Sequence, residues 1–369
     1  MKKEYDIGIL TFYYVPNYGT FAQAYSLQRV LKKLFPEREV FQISYLNKKH
    51  FDFYFSKFPK CGIRNKKFLS EFIDRNKKNS NFNLKKENFI KSYSRIDSTE
   101  KLSANNLEKT KFNHIILGSD IIWDYSFPLF GNDKYLFGNS LSANRISSYA
   151  ASFGTVKSLA NAPDYVINGL KKIDNVSVRD LNSQKLVKEV RNEDVPLVLD
   201  PTWLWDFSND DNLPSIEYSN YIILYGQDFS KKYIEELRKY SKENNKIIIC
   251  LDCNNDNYEW CDVLIRQSEL TPFEWISYFK NAYAVATSTF HGLTFALIFN
   301  KRLAFCATKF ILDEADKFLD ELNLLELYTT NKTVYDMMEY NYNFQNINSI
   351  INKKREASIF YLKHIFEGE

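Results

Sequence analysis

The sequence lacks a long uninterrupted apolar run. Within its 369 residues there is no stretch of about 18 apolar residues that could cross a membrane as a helix. The opening segment Met1–Asp6 also lacks the apolar core of a secretory signal. We therefore expect a cytoplasmic protein without a transmembrane span.

A strong charge of either sign is also missing. The formal net charge of +3 is too small to indicate nucleic-acid binding, and no stacking or groove-reading motif accompanies the basic residues. Residues 57–95 are the exception, because twelve lysines and arginines stand there against three acidic residues. This pattern is typical of a solvated helical surface. The alternative is peripheral contact with an anionic membrane surface or a lipid-linked substrate.

Cysteine and histidine are scarce. The five cysteines are an odd number, which in a cytoplasmic protein predicts free thiols. Cys250, Cys253 and Cys261 lie close together in the chain, but no fourth ligand is near, so we predict no metal site. Four histidines occur, and His291 interrupts the otherwise apolar stretch STFHGLTFALIF.

Apolar runs alternate with helical patterns along the chain. Tyr5–Phe12 predicts a strand, and after a turn-forming loop the spacing of Ala24, Leu27, Leu31 and Leu34 predicts one face of a helix. Further apolar runs follow at 38–46, 114–120, 145–154, 175–180 and 196–202. Strands separated by helices predict an α/β fold with mainly parallel sheets covered on both faces.

A change of composition divides the chain. Residues 203–219 lack periodicity and indicate a linker, after which a second series of strands and helices begins. We predict two doubly wound, Rossmann-like domains that face each other across a cleft. They comprise residues 1–205 and 206–330, and a helical tail, 331–369, packs back on them. The chain length also suits two domains.

His291 lies where a predicted strand, Ala282–Thr289, meets a predicted helix, Leu293–Asn300. In parallel sheets, ligands bind beyond the carboxyl ends of the strands. Gly292 permits a tight turn there, and we expect the N–H groups of residues 292–294 to bind an anion. An imidazole beside that anion binds charge or delivers a proton. The alternative is a histidine hydrogen-bonded in a core turn.

Arg179 is the second candidate, at the carboxyl end of the predicted strand NVSVRD. Its planar guanidinium matches a phosphate or carboxylate. The alternative is an ion pair with Asp180 or Asp200. In the first interpretation, Arg179 and His291 come from different domains and hold the same anionic substrate.

Two other strand ends carry polar residues. Asn17, Tyr18 and Gly19 follow the first strand, and Ser119 and Asp120 follow a later one. These residues are candidates for ligand contact. The alternatives are a structural turn with a packed tyrosine in the first case, and an aspartate that caps the following turn in the second.

Six blocks of the chain resemble the polysaccharide pyruvyl transferase family, nearly end to end and in the family's order. They read GILTFYYVPNYGTFAQAYSLQRVLKKL, FNHIILGSDIIWD, ISSYAASFG, VSVRD, VLDPTWLW and STFHGLTFALIFNKRLAF. The resemblance implies a GT-B-like fold. It also implies transfer of an enolpyruvyl unit from phosphoenolpyruvate to a sugar of a bacterial surface polysaccharide or its lipid-linked precursor, which gives a pyruvate ketal. Neither a metal nor a resident cofactor is implied, because phosphoenolpyruvate is a co-substrate.

The resemblance also implies roles for residues. His291 matches the histidine of the family's Ser-x-x-His-Gly motif, so Ser288, His291 and Gly292 are expected to bind the donor and His291 to act in catalysis. Arg179 matches an arginine that holds the donor's phosphate. The C-terminal domain is then the donor side. The N-terminal domain, with residues 17–19 and 119–120, is the acceptor side.

Two other functions stay open at this point. One is a GT-B-type glycosyltransferase that uses a nucleotide sugar; it is less favoured because the next acidic residue after His291 is Asp313, beyond the helix and the next strand. The other is a non-catalytic glycan-binding member of the family. It is motivated by three departures from the family's pattern: Ile121 in place of glutamine, Thr289 where some members have arginine, and the late segment DEADKFLDELNL, which lacks an arginine often found there.

Overall fold

The computed structural model of the protein describes residues 4–55, 80–128, 130–253 and 258–367. The chain divides into two compact units. Unit 1 contains the described residues of 1–78, 93–205 and 354–369, and unit 2 contains those of 79–92 and 206–353. Each unit is built on one sheet of parallel strands.

The sheet of unit 1 has the strand order β2-β1-β3-β4. Its strands are β1 (Glu4–Leu10), β2 (Val40–Gln42), β3 (Lys111–Leu117) and β4 (Ser142–Ser148). All neighbouring pairs are parallel, and in the centre Ile7 is in register with both Val40 and His114. Isolated parallel bridges at Asn175, Val178 and Leu197 continue the pairing beyond β4.

The sheet of unit 2 has five parallel strands in the order β7-β6-β5-β8-β9. They are β5 (Tyr221–Tyr225), β6 (Ile247–Cys253), β7 (Val263–Arg266), β8 (Ala284–Thr287) and β9 (Arg302–Phe305). In the central strand, Ile222, Ile223 and Leu224 are all fully buried. A strand buried on both faces has no polar side to alternate with, which explains its continuous apolar sequence.

Helices follow most of these strands. In chain order the described helices are α1 (Tyr18–Leu34), α2 (Lys48–Phe55), α3 (Ser80–Tyr93), α4 (Ala104–Leu107), α5 (Asp164–Lys172), α6 (Leu181–Arg191), α7 (Lys231–Glu243), α8 (Pro272–Asn281), α9 (Phe290–Ile298), α10 (Lys309–Glu321), α11 (Leu325–Thr329), α12 (Val334–Met338) and α13 (Phe344–His364). In α1, the residues predicted to form the apolar face include Ala24, Leu27 and Leu31, which are fully buried. Two parallel sheets with helices between their strands confirm the predicted α/β class.

The units differ from the predicted segments in two places. Helix α3 lies in the predicted first domain, but residues 80–92 belong to unit 2. The physical reason is a partly buried ion pair, in which Lys85 Nζ lies 2.7 Å from Asp252 Oδ1, and a hydrogen bond of 2.9 Å from Asn88 Nδ2 to the carbonyl of Ser268. The predicted tail is also divided, because α12 and residues 344–353 of α13 belong to unit 2 and the rest of α13 to unit 1.

The predicted basic surface at 57–95 is described only in part. Residues 57–79 lie outside the described residues, and the remainder is α3 with the turn that follows it. Among the residues that the structure describes, none of the helices combines the length and the apolar character needed to cross a bilayer. Contact with a membrane surface stays a prediction.

A histidine is buried in an aromatic cluster of unit 1. His50 is 4% exposed, and its ring centroid lies 5.1 Å from that of Phe12, 5.2 Å from that of Phe130 and 5.5 Å from that of Tyr54. Its Nδ1 has no hydrogen-bond partner among the described residues. Burial lowers the pKa of His50 to about 3, because an imidazolium there would lose its hydration.

We expect His50 to make the protein sensitive to mild acid. Below the unfolded-state pKa of about 6.5, the unfolded chain binds a proton that the folded chain excludes down to a pKa of about 3. Stability therefore falls by about 1.4 kcal/mol per pH unit in this window, or about 2 kcal/mol between pH 6.5 and pH 5. Urea unfolding at pH 7 and pH 5 measures this loss.

His50→Phe is expected to remove that part of the pH dependence while it keeps the aromatic packing. His364→Gln is the matched control, because the His364 side chain is 56% exposed. This variant should keep the loss of stability that is assigned to His50. An equal loss of stability at pH 5 in the wild type and in His50→Phe would contradict the assignment.

Candidate functional site

Three strands of unit 2 end beside one another. After β5 come Gly226 and Gln227, after β8 comes Ser288, and after β9 comes Cys306. The Thr287 hydroxyl donates to the Tyr225 carbonyl at 2.7 Å, and the Cys306 amide donates to the Thr287 carbonyl at 2.8 Å. Because parallel strands share one carboxyl edge, the side chains that follow them are brought together there.

His291 lies in the first turn of α9, which begins directly at this edge. Thr289 caps the helix, since its Oγ1 accepts a hydrogen bond of 3.0 Å from the Gly292 amide. The His291 side chain is half-buried, and its ring packs edge-on against Phe290 at 5.3 Å between centroids. The structure therefore places His291 at the end of a strand and the start of a helix, where the sequence predicted it.

Gly292 allows the chain to turn closely at this point. A Cβ atom on this residue would lie 2.1 Å from Thr287 Oγ1 and 2.7 Å from Thr289 Oγ1, which leaves no room for a side chain. Its amide is used by the Thr289 cap, and the Leu293 amide donates to the Thr289 carbonyl at 3.0 Å. The expectation that these amides are open to an anion is wrong, because the first turn of α9 uses them.

Ser288 joins two of the loops. Its buried Oγ donates to the Gln227 carbonyl at 2.8 Å and accepts from the Gln227 amide at 2.9 Å. Gly226 has a φ of +131°, and a Cβ there would lie 2.3 Å from Ser288 Oγ. The hydroxyl of Ser288 thus fixes the loop after β5 to the loop after β8. Its contact with a donor stays a prediction.

In unit 1, Arg179 is paired with carboxylates. Its Nη1 donates to Asp200 Oδ2 at 3.1 Å, and its Nη2 lies 4.0 Å from Asp120 Oδ1. The side chains of Arg179, Asp200 and Asp120 are 7%, 1% and 14% exposed. The ion pair with Asp200, which the sequence left open as an alternative, is therefore present. Asp180 instead caps α6 through the Ser183 amide.

The charges around Arg179 do not favour a phosphate. One guanidinium and two carboxylates have formal charges of +1 and −2, so the group carries −1. An additional phosphate would meet this net negative charge at short range. The structure supports the ion-pair interpretation of Arg179 better than the phosphate-clamp interpretation.

Asp200 connects several parts of this polar group. Besides Arg179, it lies within hydrogen-bond distance of Ser119 Oγ, at 3.3 Å, and it accepts from the amide and the hydroxyl of Thr202. Ser119 is fully buried and also reaches the Ala150 carbonyl at 3.1 Å. Other polar groups of unit 1 enclose the Ser119 side chain, and its contact with an acceptor stays a prediction.

The loop after β1 is a helix cap. Asn17 is exposed, and its Oδ1 accepts from the Thr20 amide at 3.1 Å at the start of α1. Tyr18 is only 1% exposed, and Gly19 is buried as well. Tyr18 is thus the packed tyrosine of the alternative interpretation, and its contact with an acceptor stays a prediction. Asn17 keeps an exposed position.

Of the three side chains of Arg179, Asp200 and Asp120, that of Asp120 is the most exposed. Its Oδ1 accepts from the amide of the next residue, Ile121, at 2.8 Å. Its Oδ2 accepts from Thr20 Oγ1 at 3.0 Å. The backbone at Asp120 is left-handed, with a φ of +81°. The structure therefore gives Asp120 a fixed position and an accessible carboxylate.

Sequence reasoning missed Thr20 and Gln227, and it considered Asp200 only as a partner of Arg179. The segment Asp200-Pro201-Thr202 does carry a signal, because an aspartate before proline is typical of a helix cap. Asp200 caps a short 3₁₀ helix, Pro201–Trp203. No sequence pattern predicts that Thr20 reaches Asp120, since 100 residues separate them.

Possible metal ligands do not cluster among the described residues. Among the residues that the structure describes, no three histidine, cysteine, aspartate or glutamate side chains are grouped to hold a metal ion. Cys250, Cys261 and Cys306 are free thiols. Burial and the negative charge of Asp228 raise the pKa of Cys306.

Breaking the buried Arg179–Asp200 pair is expected to destabilise the protein strongly. Arg179→Met leaves the Asp200 carboxylate buried without its counter-charge, so the free energy of unfolding should fall by about 3–5 kcal/mol in urea denaturation. Arg179→Met combined with Asp200→Asn should recover part of that loss.

Lys188→Met is the matched control for this prediction. Lys188 pairs with Asp194 on the surface, where both side chains are more than half exposed. Its loss should change stability by about 1 kcal/mol or less. Wild-type stability in Arg179→Met would show that the pair does not organise unit 1.

Solved structures with a similar fold include two UDP-N-acetylglucosamine 2-epimerase structures. One, from Listeria monocytogenes, is 9% identical, with a TM-score of 0.54, and the alignment covers 100% of this chain and 98% of that one. The second is also 9% identical, with a TM-score of 0.52 and coverage of 99% and 96%. At this identity the likeness shows the fold alone, which is GT-B-like. No significant match is found among curated proteins.

The family model of the polysaccharide pyruvyl transferases matches residues 17–309. The match runs from the cap of α1 to the first residue of α10, so it includes the polar group around Arg179 and the strand ends of unit 2. It covers well over half of the chain. The protein therefore belongs to the polysaccharide pyruvyl transferase family.

Proposed function

We propose that the protein transfers an enolpyruvyl unit from phosphoenolpyruvate to two hydroxyls of one sugar and so forms a pyruvate ketal. Membership of the family makes it a transferase that acts on polysaccharide. The phosphoenolpyruvate donor, the ketal product, and the use of a surface polysaccharide or its lipid-linked precursor as acceptor are the proposal's own steps.

The position of His291 is the observation that carries this proposal. The residue is half-buried in the first turn of α9, beyond the carboxyl end of β8. The Thr289 cap and the close approach at Gly292 fix the backbone on which its side chain stands. Imidazole changes its protonation near neutral pH, which suits a group that must give up a proton and regain it.

The reaction needs one proton donor at carbon and has no net proton change. The methylene carbon of the donor takes a proton and becomes a methyl group, which leaves C2 electron-poor. Two hydroxyl oxygens form bonds to C2, and the bond from C2 to the phosphate oxygen breaks. Of the two hydroxyl protons, one replaces the proton given to carbon, and the other leaves with the phosphate. We assign the protonation of the methylene carbon to His291.

Arg179 has a different part in this proposal from the one expected. Its pairing with Asp200, and the net charge of −1 on the group of Arg179, Asp200 and Asp120, fit the organisation of polar groups better than the binding of the donor's phosphate. Of the residues expected to contact the acceptor, Asn17 and Asp120 have accessible side chains. Unit 1 is proposed to bind the sugar.

The activity is tested by incubating the protein with phosphoenolpyruvate and candidate galactosides, glucosides or lipid-linked mannosamine sugars. We expect phosphate release together with a sugar product heavier by one pyruvic acid less one water. His291→Gln should lower kcat by about 100-fold or more, the range for loss of a general acid. The control His364→Gln, in the exposed last turn of α13, should be fully active.

Full activity of His291→Gln would remove that residue from the mechanism. The glycosyltransferase alternative is tested with a UDP-sugar in place of phosphoenolpyruvate, since the similar folds carry names of UDP-sugar enzymes. Sugar transfer from that donor, with no response to phosphoenolpyruvate, would replace the proposal. Binding of a glycan without turnover of either donor would identify a non-catalytic member.

A further inference from the structure

We infer that Asp120 is the general base that accepts the proton of an acceptor hydroxyl. This inference rests on the proposed function and deepens it, because it assigns one step of the transfer to one carboxylate. The sequence predicted contact between Asp120 and the acceptor without a chemical role.

The two carboxylates are in different surroundings. Asp200 is 1% exposed and is contacted by Arg179, Ser119 and two groups of Thr202. A side chain so enclosed has no surface for a substrate. Asp120 is 14% exposed and lies 4.0 Å from the same guanidinium, beyond hydrogen-bond distance. Asp120 is therefore the carboxylate of this group that can meet a hydroxyl from outside.

The position of Asp120 is fixed before any substrate binds. Its carbonyl accepts from the Ser152 amide at 3.0 Å, and the residue pairs with Ala151 in an isolated parallel bridge. Each carboxylate oxygen has one donor, Ile121 N–H for Oδ1 and Thr20 Oγ1 for Oδ2. A carboxylate oxygen accepts more than one hydrogen bond, so both oxygens keep acceptor capacity. Such preorganisation is what a base needs for efficient proton transfer.

The backbone of Asp120 is left-handed, as it is at ten other non-glycine positions among the described residues. Asp120 has a φ of +81°, where a residue with a side chain is strained. Strained backbone is concentrated at functional sites, where surrounding contacts hold it in place. Glycine adopts this conformation without strain, so a glycine at position 120 keeps the backbone of the turn.

The proton balance of the step is complete. As the first hydroxyl oxygen bonds to C2, its O–H bond breaks and the proton passes to the Asp120 carboxylate. Asp120 then releases this proton to solvent, and the phosphate takes one proton from solvent when its bond to C2 breaks, so the net proton count is unchanged. Asp120 is then a carboxylate again. No oxidant, reductant or metal ion takes part.

Two variants of Asp120 distinguish a general base from a residue that only stabilises the turn. Asp120→Asn keeps the side-chain shape and the acceptor for the Ile121 amide but cannot take a proton. Asp120→Gly removes the side chain and fits the φ of +81° without strain. We expect each to lower kcat by about 100-fold or more at an unchanged KM for phosphoenolpyruvate. Thermal unfolding of Asp120→Gly should occur at or above the wild-type temperature.

Rescue of turnover by added formate tests the assignment of Asp120 as a base. We expect added formate to restore part of the turnover of Asp120→Gly, because it enters the space of the missing carboxylate and accepts the proton. Asp120→Asn, whose amide fills that space, should not respond. The control is Asp164→Asn, an exposed aspartate in the first turn of α5, which should behave as wild type with and without formate.

The outcomes also separate this inference from the proposed function. If the wild type forms the ketal and Asp120→Asn turns over within about fivefold of it, Asp120 is not the base and the proposed function stands. The same holds if Asp120→Gly is slow and formate has no effect. If the wild type releases no phosphate from phosphoenolpyruvate with any diol sugar, the proposed function fails, and the inference fails with it.

Discussion

The ion pair between Arg179 and Asp200 organises the carboxyl edge of the sheet in unit 1. A carboxylate that is 1% exposed is stable inside a protein only if charged and polar partners replace its hydration. Arg179, Ser119 and Thr202 supply those partners. They come from three separate stretches of the chain, so the pair fixes strand ends that are far apart in sequence.

In unit 2, neutral hydroxyl and backbone groups fix the strand ends in place of an ion pair. The Ser288 hydroxyl is bonded to both the amide and the carbonyl of Gln227, and the Thr287 hydroxyl is bonded to the Tyr225 carbonyl. Two positions without side chains, Gly226 and Gly292, let these hydroxyls approach the backbone. These bonds fix the loops beside the turn that carries His291. Rigid positioning matters because a proton donor acts efficiently only in a defined place.

Much of this architecture follows from local sequence patterns. The alternation of apolar runs and helical spacing predicts parallel sheets, because each apolar strand must be covered on both faces. The same reasoning predicts that His291 and Asp120 lie at strand ends. Helix α3 shows the limit, since its attachment to unit 2 depends on a contact between Lys85 and Asp252, 167 residues apart.

The hydrogen-bond partners of the polar side chains could not be predicted either, because they also depend on contacts between distant segments. Whether Arg179 binds a ligand or Asp200 depends on distances of about 3 Å between segments that the sequence does not align. Tyr18 and Ser119 stand in the same kind of position as Asn17 and Asp120, and only packing decides which of the four are buried. The sequence predicts the strand end at which a residue lies, whereas tertiary contacts decide how exposed its side chain is.

Deuterium labelling of the product tests the central claim most directly. The claim is that the methylene carbon of phosphoenolpyruvate receives a proton from an imidazole that exchanges its protons with solvent. In heavy water, the methyl group of the ketal should then carry one deuterium, seen by mass spectrometry and NMR of the sugar product. A ketal formed without deuterium, or a sugar product that contains no pyruvate carbon, would contradict the account.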